Sequence, residues 1–378
     1  MKHRSKVITG TLLLFASLLC PMRLMSENIK SPDFAFPVKV RTQAETRYKT
    51  AIKQKNYPDA LRALVDKALA ETAIAPDSAG IQATEMEHFA VNCKDKAVSS
   101  LAFLFCAKIY NDIYSANRWN YDKRTLPLIP LDTNVKAWSG EQFRYKINNL
   151  CDSAVVSICS LPSIPLERFK NLITIPAGSQ LFYPTIYDFV ASKVIDLKSA
   201  QITSDSRLPL STLSFGKSPA ILKTTRHEMY DILNLYDSLI NKSNKESAPY
   251  IYWTLEKLRF IKNRLYNSEN DNSETKYKDL LLQLYKEYSS SQFCTLPLHE
   301  LTNLYIDPDN IKEIKELFGA VTSAIANYPD APLVNCLKNY INQTERKSVE
   351  IIHNSYLVPG GTLQVKINAK NTSEAYLN

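Results

Sequence analysis

The chain has 378 residues, of which 45% are hydrophobic and 22% are charged, and its formal net charge is +8 at pH 7. That length can hold two or three domains with substantial cores. The chain has 8 glycines, a low number that argues against folds with many positive-φ turns, such as nucleotide-binding α/β sheets and all-β sandwiches.

The N-terminus predicts a secretory signal peptide over residues 1–26. A basic segment precedes an apolar stretch from Val7 to Leu19, and Ser26 is a small residue suited to cleavage. The stretch is shorter than the roughly 20 residues that a membrane-spanning helix needs. We therefore expect an exported protein; the family resemblance described below implies a periplasmic or outer-membrane location. The alternative is a lipoprotein lipidated at Cys20, although bulky Leu19 stands where such sites favour a small residue.

The charge of the mature chain bears on nucleic-acid binding, and its cysteines bear on disulfides and zinc. Cleavage after Ser26 would remove four basic and no acidic residues, which lowers the formal charge to +4 and leaves no basic cluster for nucleic acid. Six cysteines would remain, and an exported compartment permits disulfides. Cys106 lies inside an apolar run, however, and we expect at least half of the six to be buried free thiols. The absence of a C-x-x-C pair disfavours zinc.

Helical periodicity dominates the chain. Apolar residues recur at i, i+3, i+4 and i+7 in segments 98–113 and 277–288, and further stripes with helical spacing run through 251–265 and 311–325. Each pattern predicts an amphipathic helix.

Short breaks with helix-start signals separate the predicted helices. Tyr57 and Pro58 precede a predicted helix over 60–70, and Asp330 precedes one over 333–341. This alternation of helices and brief turns is similar to tetratricopeptide-type arrays, but the fixed period of about 34 residues is absent. We therefore predict a mainly α fold, with an irregular array of helical hairpins.

Two stretches rich in proline, serine or threonine predict long loops, at 157–184 and 199–225. The segment between them, 185–197, has a helical pattern. Such loops can form binding surfaces, but simple connectors are commoner.

The last residues change pattern. From Thr362 to Lys370, apolar and polar residues alternate with the period of a half-buried strand. A turn follows at 371–373, and residues 374–378 resemble the beginning of a partner strand. Two strands alone are marginally stable in water. We therefore predict three domains: a signal peptide (1–26), a helical array (27–345) and the start of a truncated β-sandwich (346–378).

Catalytic and metal-binding motifs are incomplete. Residues 216–218 resemble the end of a phosphate-binding loop, but the glycine required five residues earlier is a serine. The His-Glu pairs at 227–228 and 299–300 resemble the start of a zinc-protease motif, but Asp231 and Asn303 stand where the second histidine is needed. No serine is bracketed by glycines as in a hydrolase elbow. We predict no catalytic, cofactor-binding or metal-binding residue, no cofactor, and no enzymatic activity.

One short segment, Ser139-Gly-Glu141-Gln142, differs by a single residue from the Cys-Gly-Glu-Gln sequence that forms thioesters in certain proteins. A serine hydroxyl does not form that thioester. We therefore expect Ser139 to cap a helix that Glu141 and Gln142 open.

Several segments together resemble the N-terminal region of large exported bacterial alpha-2-macroglobulin family proteins. They are Asp33–Val40, Ile109–Thr125, Trp138–Val155 and Tyr183–Leu197. The closing residues 358–378 resemble the opening of the family's first macroglobulin-like β-sandwich domain.

This resemblance implies a helical segment followed by a row of β-sandwich domains in an envelope-located protease trap. In thioester-bearing members, a protease cuts a bait region and is then enclosed and covalently captured. The present sequence contains neither a bait region nor a Cys-x-Glu-Gln thioester, so no functional residue is carried across. The implied role is a noncatalytic scaffold or docking segment in a family that traps and inhibits endopeptidases.

The implied partners are a protease or other envelope protein and the remaining macroglobulin-like domains of the same polypeptide. Nucleic acid is not expected, and a membrane is expected only through a lipid at Cys20. The alternative function is a stand-alone exported helical-repeat protein that binds a peptide, protein or glycan on a surface rich in tyrosine and tryptophan.

Overall fold

The computed structural model describes residues 36–161, 163–202, 206–217, 222–223, 229–265, 272–304, 310–353, 360 and 365–372. Within these ranges the protein is mainly helical, with thirteen α-helices and one two-stranded antiparallel sheet near the C-terminus. The predicted mainly α fold class is therefore confirmed. In the same ranges, none of the helices is both long and apolar enough to cross a membrane.

Several predictions fall on residues outside the described ranges. They concern the signal peptide over 1–26 with its alternative lipid at Cys20, the His-Glu pair at 227–228, and the partner strand at 374–378.

Contacts between residues divide the chain into two compact units. The first comprises the chain up to Ser206 together with Lys217–Tyr250, and the second comprises Arg207–Gly216 together with the chain from Ile251 onward. Sequence analysis did not predict this division, and the domain boundaries after residues 26 and 345 stay predictions.

The described residues of the first unit contain eight α-helices. They are α1 (Pro37–Lys53), α2 (Tyr57–Ile74), α3 (Ala79–Asn92), α4 (Lys96–Ala116), α5 (Arg118–Asp122), α6 (Gly140–Cys159), α7 (Ile186–Gln201) and α8 (Tyr230–Lys242). The first four pack in chain order, each on the next, and α4 also packs on α6 and α7. Helix α4 therefore lies at the centre of this unit.

Helix α4 follows directly from the sequence. Asp95 caps its N-terminus by accepting hydrogen bonds from the backbone N–H groups of Ala97 and Val98. Most of the predicted apolar stripe is fully buried, including Val98 and Leu101. Burial of such side chains contributes about 1.5–3 kcal/mol each, so this stripe anchors the core of the unit.

The described part of the second unit contains most of α9 (Ala248–Lys262) and four further helices. These are α10 (Ser273–Glu287), α11 (Thr295–Thr302), α12 (Ile311–Asn327) and α13 (Val334–Glu345). Helix α11 contacts α10, α12 and α13. The helices predicted over 251–265, 277–288, 311–325 and 333–341 are all present.

In their described residues, the predicted loops are largely irregular, as expected. After α6 ends at Cys159, the described residues up to Thr185 hold two short 3₁₀ turns, Leu166–Phe169 and Ser179–Leu181. Thr185 then caps α7 through a reciprocal pair of hydrogen bonds with Asp188. Helix α7 continues to Gln201, beyond the start predicted for the second loop.

The C-terminal sheet confirms the change from helix to strand, with one addition and one correction. Strand β2 (Val365–Lys370) lies within the predicted strand, and it pairs antiparallel with β1 (Ser348–His353), an upstream strand that sequence analysis did not predict. The prediction of a half-buried strand is wrong, because every residue of both strands is exposed. Alternation shows which residues share a face, but burial also requires an element that covers that face.

Candidate functional site

The two strands β1 and β2, called the ribbon below, present one mostly apolar face, on which His353 also lies, opposite Val365. Residues directly opposite each other across the strands share a face, as in the pairs Val349–Ala369 and Ile351–Ile367. The four exposed aliphatic side chains Val349, Ile351, Val365 and Ile367 retain between 38% and 52% of their accessible surface. A soluble sheet normally covers such a face against another layer.

The opposite face of the ribbon is mostly polar. Glu350 accepts a hydrogen bond of 3.2 Å from the side chain of Asn368, its direct neighbour across the strands. Lys366 and Lys370 lie on this face, together with Ile352. The ribbon therefore has the two-faced pattern of a sheet with one side towards a core and the other towards solvent.

Side-chain hydrogen bonds tie one end of the ribbon to the end of α13. Lys370 Nζ donates to the Gln343 carbonyl at 2.9 Å, and Asn371 Nδ2 donates to the Thr344 carbonyl at 2.6 Å. Asn371 has a φ of 54°, a left-handed conformation that asparagine tolerates better than most residues. These bonds orient the ribbon relative to the helix that precedes it.

The first unit holds a buried aromatic cluster that sequence analysis missed. Tyr114 stacks on Phe143 with ring centroids 5.5 Å apart, and Tyr121 and Trp138 approach the same Phe143 ring at 4.7 and 5.1 Å. All four side chains are buried. The sequence did contain a signal for these aromatic residues. Tyr114 extends the α4 stripe, and Trp138 and Phe143 flank the predicted helix start at Ser139.

A charged network borders this cluster. The Tyr114 hydroxyl donates to Asp122 Oδ1 at 2.7 Å, and Arg144 Nη1 donates to the same oxygen at 3.0 Å. Burial raises the pKa of Asp122, but the hydrogen bonds from Tyr114 and Arg144 outweigh it, so the pKa lies below its ordinary value. Burial raises the pKa of Tyr114. Both groups therefore hold their ordinary charge at neutral pH, and the network positions α5 against α6.

Trp119 is the exposed exception among the tryptophans. It is 74% exposed, whereas Trp138 and Trp253 are buried. Lys123 Nζ lies 4.2 Å from the centroid of its indole ring, one helical turn away. The ring therefore remains available to solvent beside a cation.

Ser139 and Gln142 form the predicted helix cap. The Gln142 N–H donates to Ser139 Oγ at 3.3 Å, and the Ser139 N–H donates to Gln142 Oε1 at 3.0 Å. Gln142 also donates to the Pro127 carbonyl at 2.8 Å. This capping box confirms the structural interpretation of the segment.

The His-Glu pair at 299–300 belongs to an ionic cluster of the second unit. Tyr277 donates its hydroxyl hydrogen to Glu300 Oε2 at 3.1 Å, and Arg259 Nε donates to the same oxygen at 3.3 Å. Burial lowers the pKa of His299. Within the described ranges, no group of three or more His, Cys, Asp or Glu residues is placed to hold a metal ion. Glu300 can be buried because Arg259 and Tyr277 satisfy its carboxylate. These hydrogen bonds link α11 to α9 and α10.

The phosphate-loop resemblance has no matching backbone in the residues described around it. Apart from a 3₁₀ turn over Leu210–Thr212 and a bridge at Leu208, residues 206–217 are irregular. The Gly216 carbonyl accepts a hydrogen bond of 2.8 Å from Lys257 Nζ. A phosphate-binding loop instead follows a strand and directs backbone N–H groups at its ligand.

Six described cysteines are free, and four of them are buried. Burial raises the pKa of Cys151 to about 12 and that of Cys294 to about 11. Since the thiolate is the reactive form, both thiols are unreactive at neutral pH. The prediction that at least half of the cysteines are buried free thiols is confirmed.

Comparison of the chain with models of protein families, with curated proteins and with solved structures found no match.

Proposed function

We propose that the chain is a noncatalytic N-terminal scaffold and docking segment of a macroglobulin-like protein, whose family traps and inhibits endopeptidases. The exposed apolar face of the ribbon carries this proposal, because it needs a covering layer. A β-sandwich domain of the same polypeptide supplies such a layer with matching geometry, since sheets pack face to face through alternating apolar residues. The finer fold description belongs to the same proposal: the helices form a tetratricopeptide-like array, and the ribbon opens a macroglobulin-like domain.

The helical units support the scaffold role. The side chains that resemble parts of catalytic motifs make structural contacts instead. Glu300 accepts hydrogen bonds from Arg259 and Tyr277, and Ser139 and Gln142 cap α6. The bonds from Lys370 and Asn371 to α13 then give the ribbon a defined direction. In this proposal, export places the protein in the periplasm or at the outer membrane, where a protease or another envelope protein is its partner.

Site-specific photocross-linking in the natural exported polypeptide tests the docking role. A benzoylphenylalanine at Ile367 reports on the apolar face, and the same probe at Lys366 reports on the polar face one residue away. We expect Ile367 to cross-link to a macroglobulin-like β-domain of the same polypeptide and Lys366 not to do so. Equal cross-linking from both positions, or cross-links from Ile367 only to α1–α13, would overturn the proposal.

Intact mass spectrometry of the exported protein tests the scaffold in a second way. It measures the mature start and the end of the polypeptide together. We expect a mature start near residue 27, or a lipidated Cys20 in the lipoprotein alternative, and a sequence that continues past Asn378. A mature protein that ends at Asn378 would contradict the macroglobulin-like proposal.

The second candidate function is a stand-alone exported helical-repeat protein that binds a peptide, protein or glycan. The exposure of Trp119 beside Lys123 favours it, because a solvent-facing indole can stack on a sugar ring or an apolar side chain. Isothermal titration calorimetry of the chain with an oligosaccharide panel tests it. Saturable binding that Trp119→Phe retains and Trp119→Ala abolishes would support this function, and the absence of heat of binding across the panel would exclude glycan binding.

A further inference from the structure

A groove of about 390 Å³ runs between three helices of the second unit. Its walls and floor are largely apolar: Leu282, Tyr285, Leu298, Leu301, Leu317 and Ala320. Of these, Leu298 and Leu301 of α11 are buried and form the floor, whereas the residues from α10 and α12 are half-buried. Pockets of this size between helices are typical of small-ligand sites.

Helix α12 shows why the groove exists. Its predicted apolar stripe is only partly covered, because Val321 and Ala324 are its only buried residues while Leu317 and Phe318 stay half-buried. Of these two half-buried residues, Leu317 lines the groove, where it leaves apolar surface that a ligand can cover.

The charged residues at the rim of the groove differ in whether they are paired. Lys278 forms a salt bridge with Glu313, which links α10 to α12, and Lys312 lies 4.0 Å from Glu316. Both rim glutamates are thus paired. Lys286 lies eight residues beyond Lys278, roughly 12 Å along α10.

Lys286 adds a positive charge, and the acidic residue next to it in the sequence, Glu287, does not share its face of α10. The residues three and four positions away on either side are Leu282, Gln283, Ser289 and Ser290, none of them charged. Within the described ranges, its ammonium group forms no salt bridge. Tyr285, which precedes Lys286 in the sequence, also lines the groove.

We propose that this groove binds a medium-chain carboxylic acid, with the acyl chain along Leu282, Leu301 and Leu317 and the carboxylate beside Lys286. The apolar walls suit the chain, and the Lys286 ammonium suits an anionic head group. This binding site goes beyond the proposed scaffold function and does not depend on it.

Calorimetric titration of the intact chain with decanoate tests the proposal. We expect saturable binding of one decanoate per chain, and weaker binding of 1-decanol, which has the same chain without the charge. Lys286→Gln should weaken decanoate binding about fivefold, the size expected for an exposed ion pair. The matched control is Lys315→Gln, which removes an exposed charge of α12 outside the groove lining.

A second variant tests the apolar part independently. Ala320→Trp places a large ring inside the groove, and we expect it to abolish saturable decanoate binding while the circular dichroism of the helices is retained. The proposal is overturned if folded wild-type chain shows no saturable binding, if Lys286→Gln and Lys315→Gln bind decanoate equally, or if folded Ala320→Trp still binds it.

Discussion

Helix α4 and the ribbon use the same kinds of apolar residue, but only the helix buries them. Val98 and Leu101 of α4 have no accessible surface, whereas Ile351 and Ile367 of the ribbon retain 52% and 38%. Each pattern correctly assigns its residues to a common face. The difference lies in the neighbours, because α3, α6 and α7 pack on α4, while the described residues leave the ribbon face uncovered. The pattern of apolar residues therefore predicts which residues share a face. Tertiary contacts decide whether that face is buried and so stabilises the fold.

The largest expected loss of stability comes from a substitution in the buried core of the first unit. Phe143→Ala removes the ring that Tyr114, Tyr121 and Trp138 contact, and Phe143 has no accessible surface. We expect a loss of about 3–5 kcal/mol in the free energy of unfolding, measured by chemical denaturation. Val156→Ala is the matched control on the same helix, because Val156 is 69% exposed, and its effect should stay within about 0.5 kcal/mol. Equal effects of the two variants would show that this cluster does not anchor the unit.

A smaller effect concerns the charge beside the cluster. The pKa of Asp122 lies below its ordinary value of 3.8 in the folded protein, so its ionised carboxylate stabilises the fold above that pH. This contribution is lost as the pH falls through the lowered pKa. Asp122→Asn should therefore cost about 1 kcal/mol or less at pH 7, since the group is partly exposed.

The pH dependence of that cost is the sharper measurement. The difference in unfolding free energy between wild type and Asp122→Asn should shrink as the pH is lowered from 7 to below 3.8. Asp196→Asn, which removes an exposed carboxylate from the same unit, serves as the control for nonspecific charge effects. A difference that grows on acidification would contradict the assigned direction of the pKa.

The smallest expected effect tests the exposed side of the comparison. Ile351→Thr keeps a β-branched residue in β1 but removes apolar surface that is already half in water. We expect the free energy of unfolding of the isolated chain to change by about 0.5 kcal/mol or less. A loss as large as that of Phe143→Ala would show that the ribbon face is buried in solution. In a macroglobulin-like polypeptide whose β-domain covers the ribbon, the same substitution should cost more.

Sequence patterns predicted the helices well, because the hydrogen bonds that form and cap a helix join residues close together in the chain. Ser139 was predicted to cap α6, and it forms a capping box with Gln142. Asp95 and Thr185, which cap α4 and α7 through equally local bonds, were not predicted as caps. Strand β1 was missed because residues 348–353 do not alternate strictly, with Ile351 and Ile352 adjacent. Its pairing with β2 joins residues up to 22 positions apart, and no local pattern encodes such a partner.

The candidate sites needed the tertiary structure. The groove combines Leu282, Leu301 and Leu317 from three helices, and periodicity assigned two of these helices to core packing without indicating a gap between them. The aromatic cluster likewise joins Tyr114 to Phe143 across 29 positions. Glu300 belongs to a pair that resembles a metalloprotease motif in sequence, yet Arg259 and Tyr277 bind its carboxylate in the fold.

The sequence by itself determined the mainly helical class, the helix starts and the change to strand near the C-terminus, because hydrogen bonding and capping within an element depend on neighbouring residues. The tertiary structure decided which apolar faces are buried, which acids are paired, and that the ribbon and the groove stay open. Those properties depend on distant elements that supply or withhold a covering surface, and burial free energy is gained only where such a surface is present.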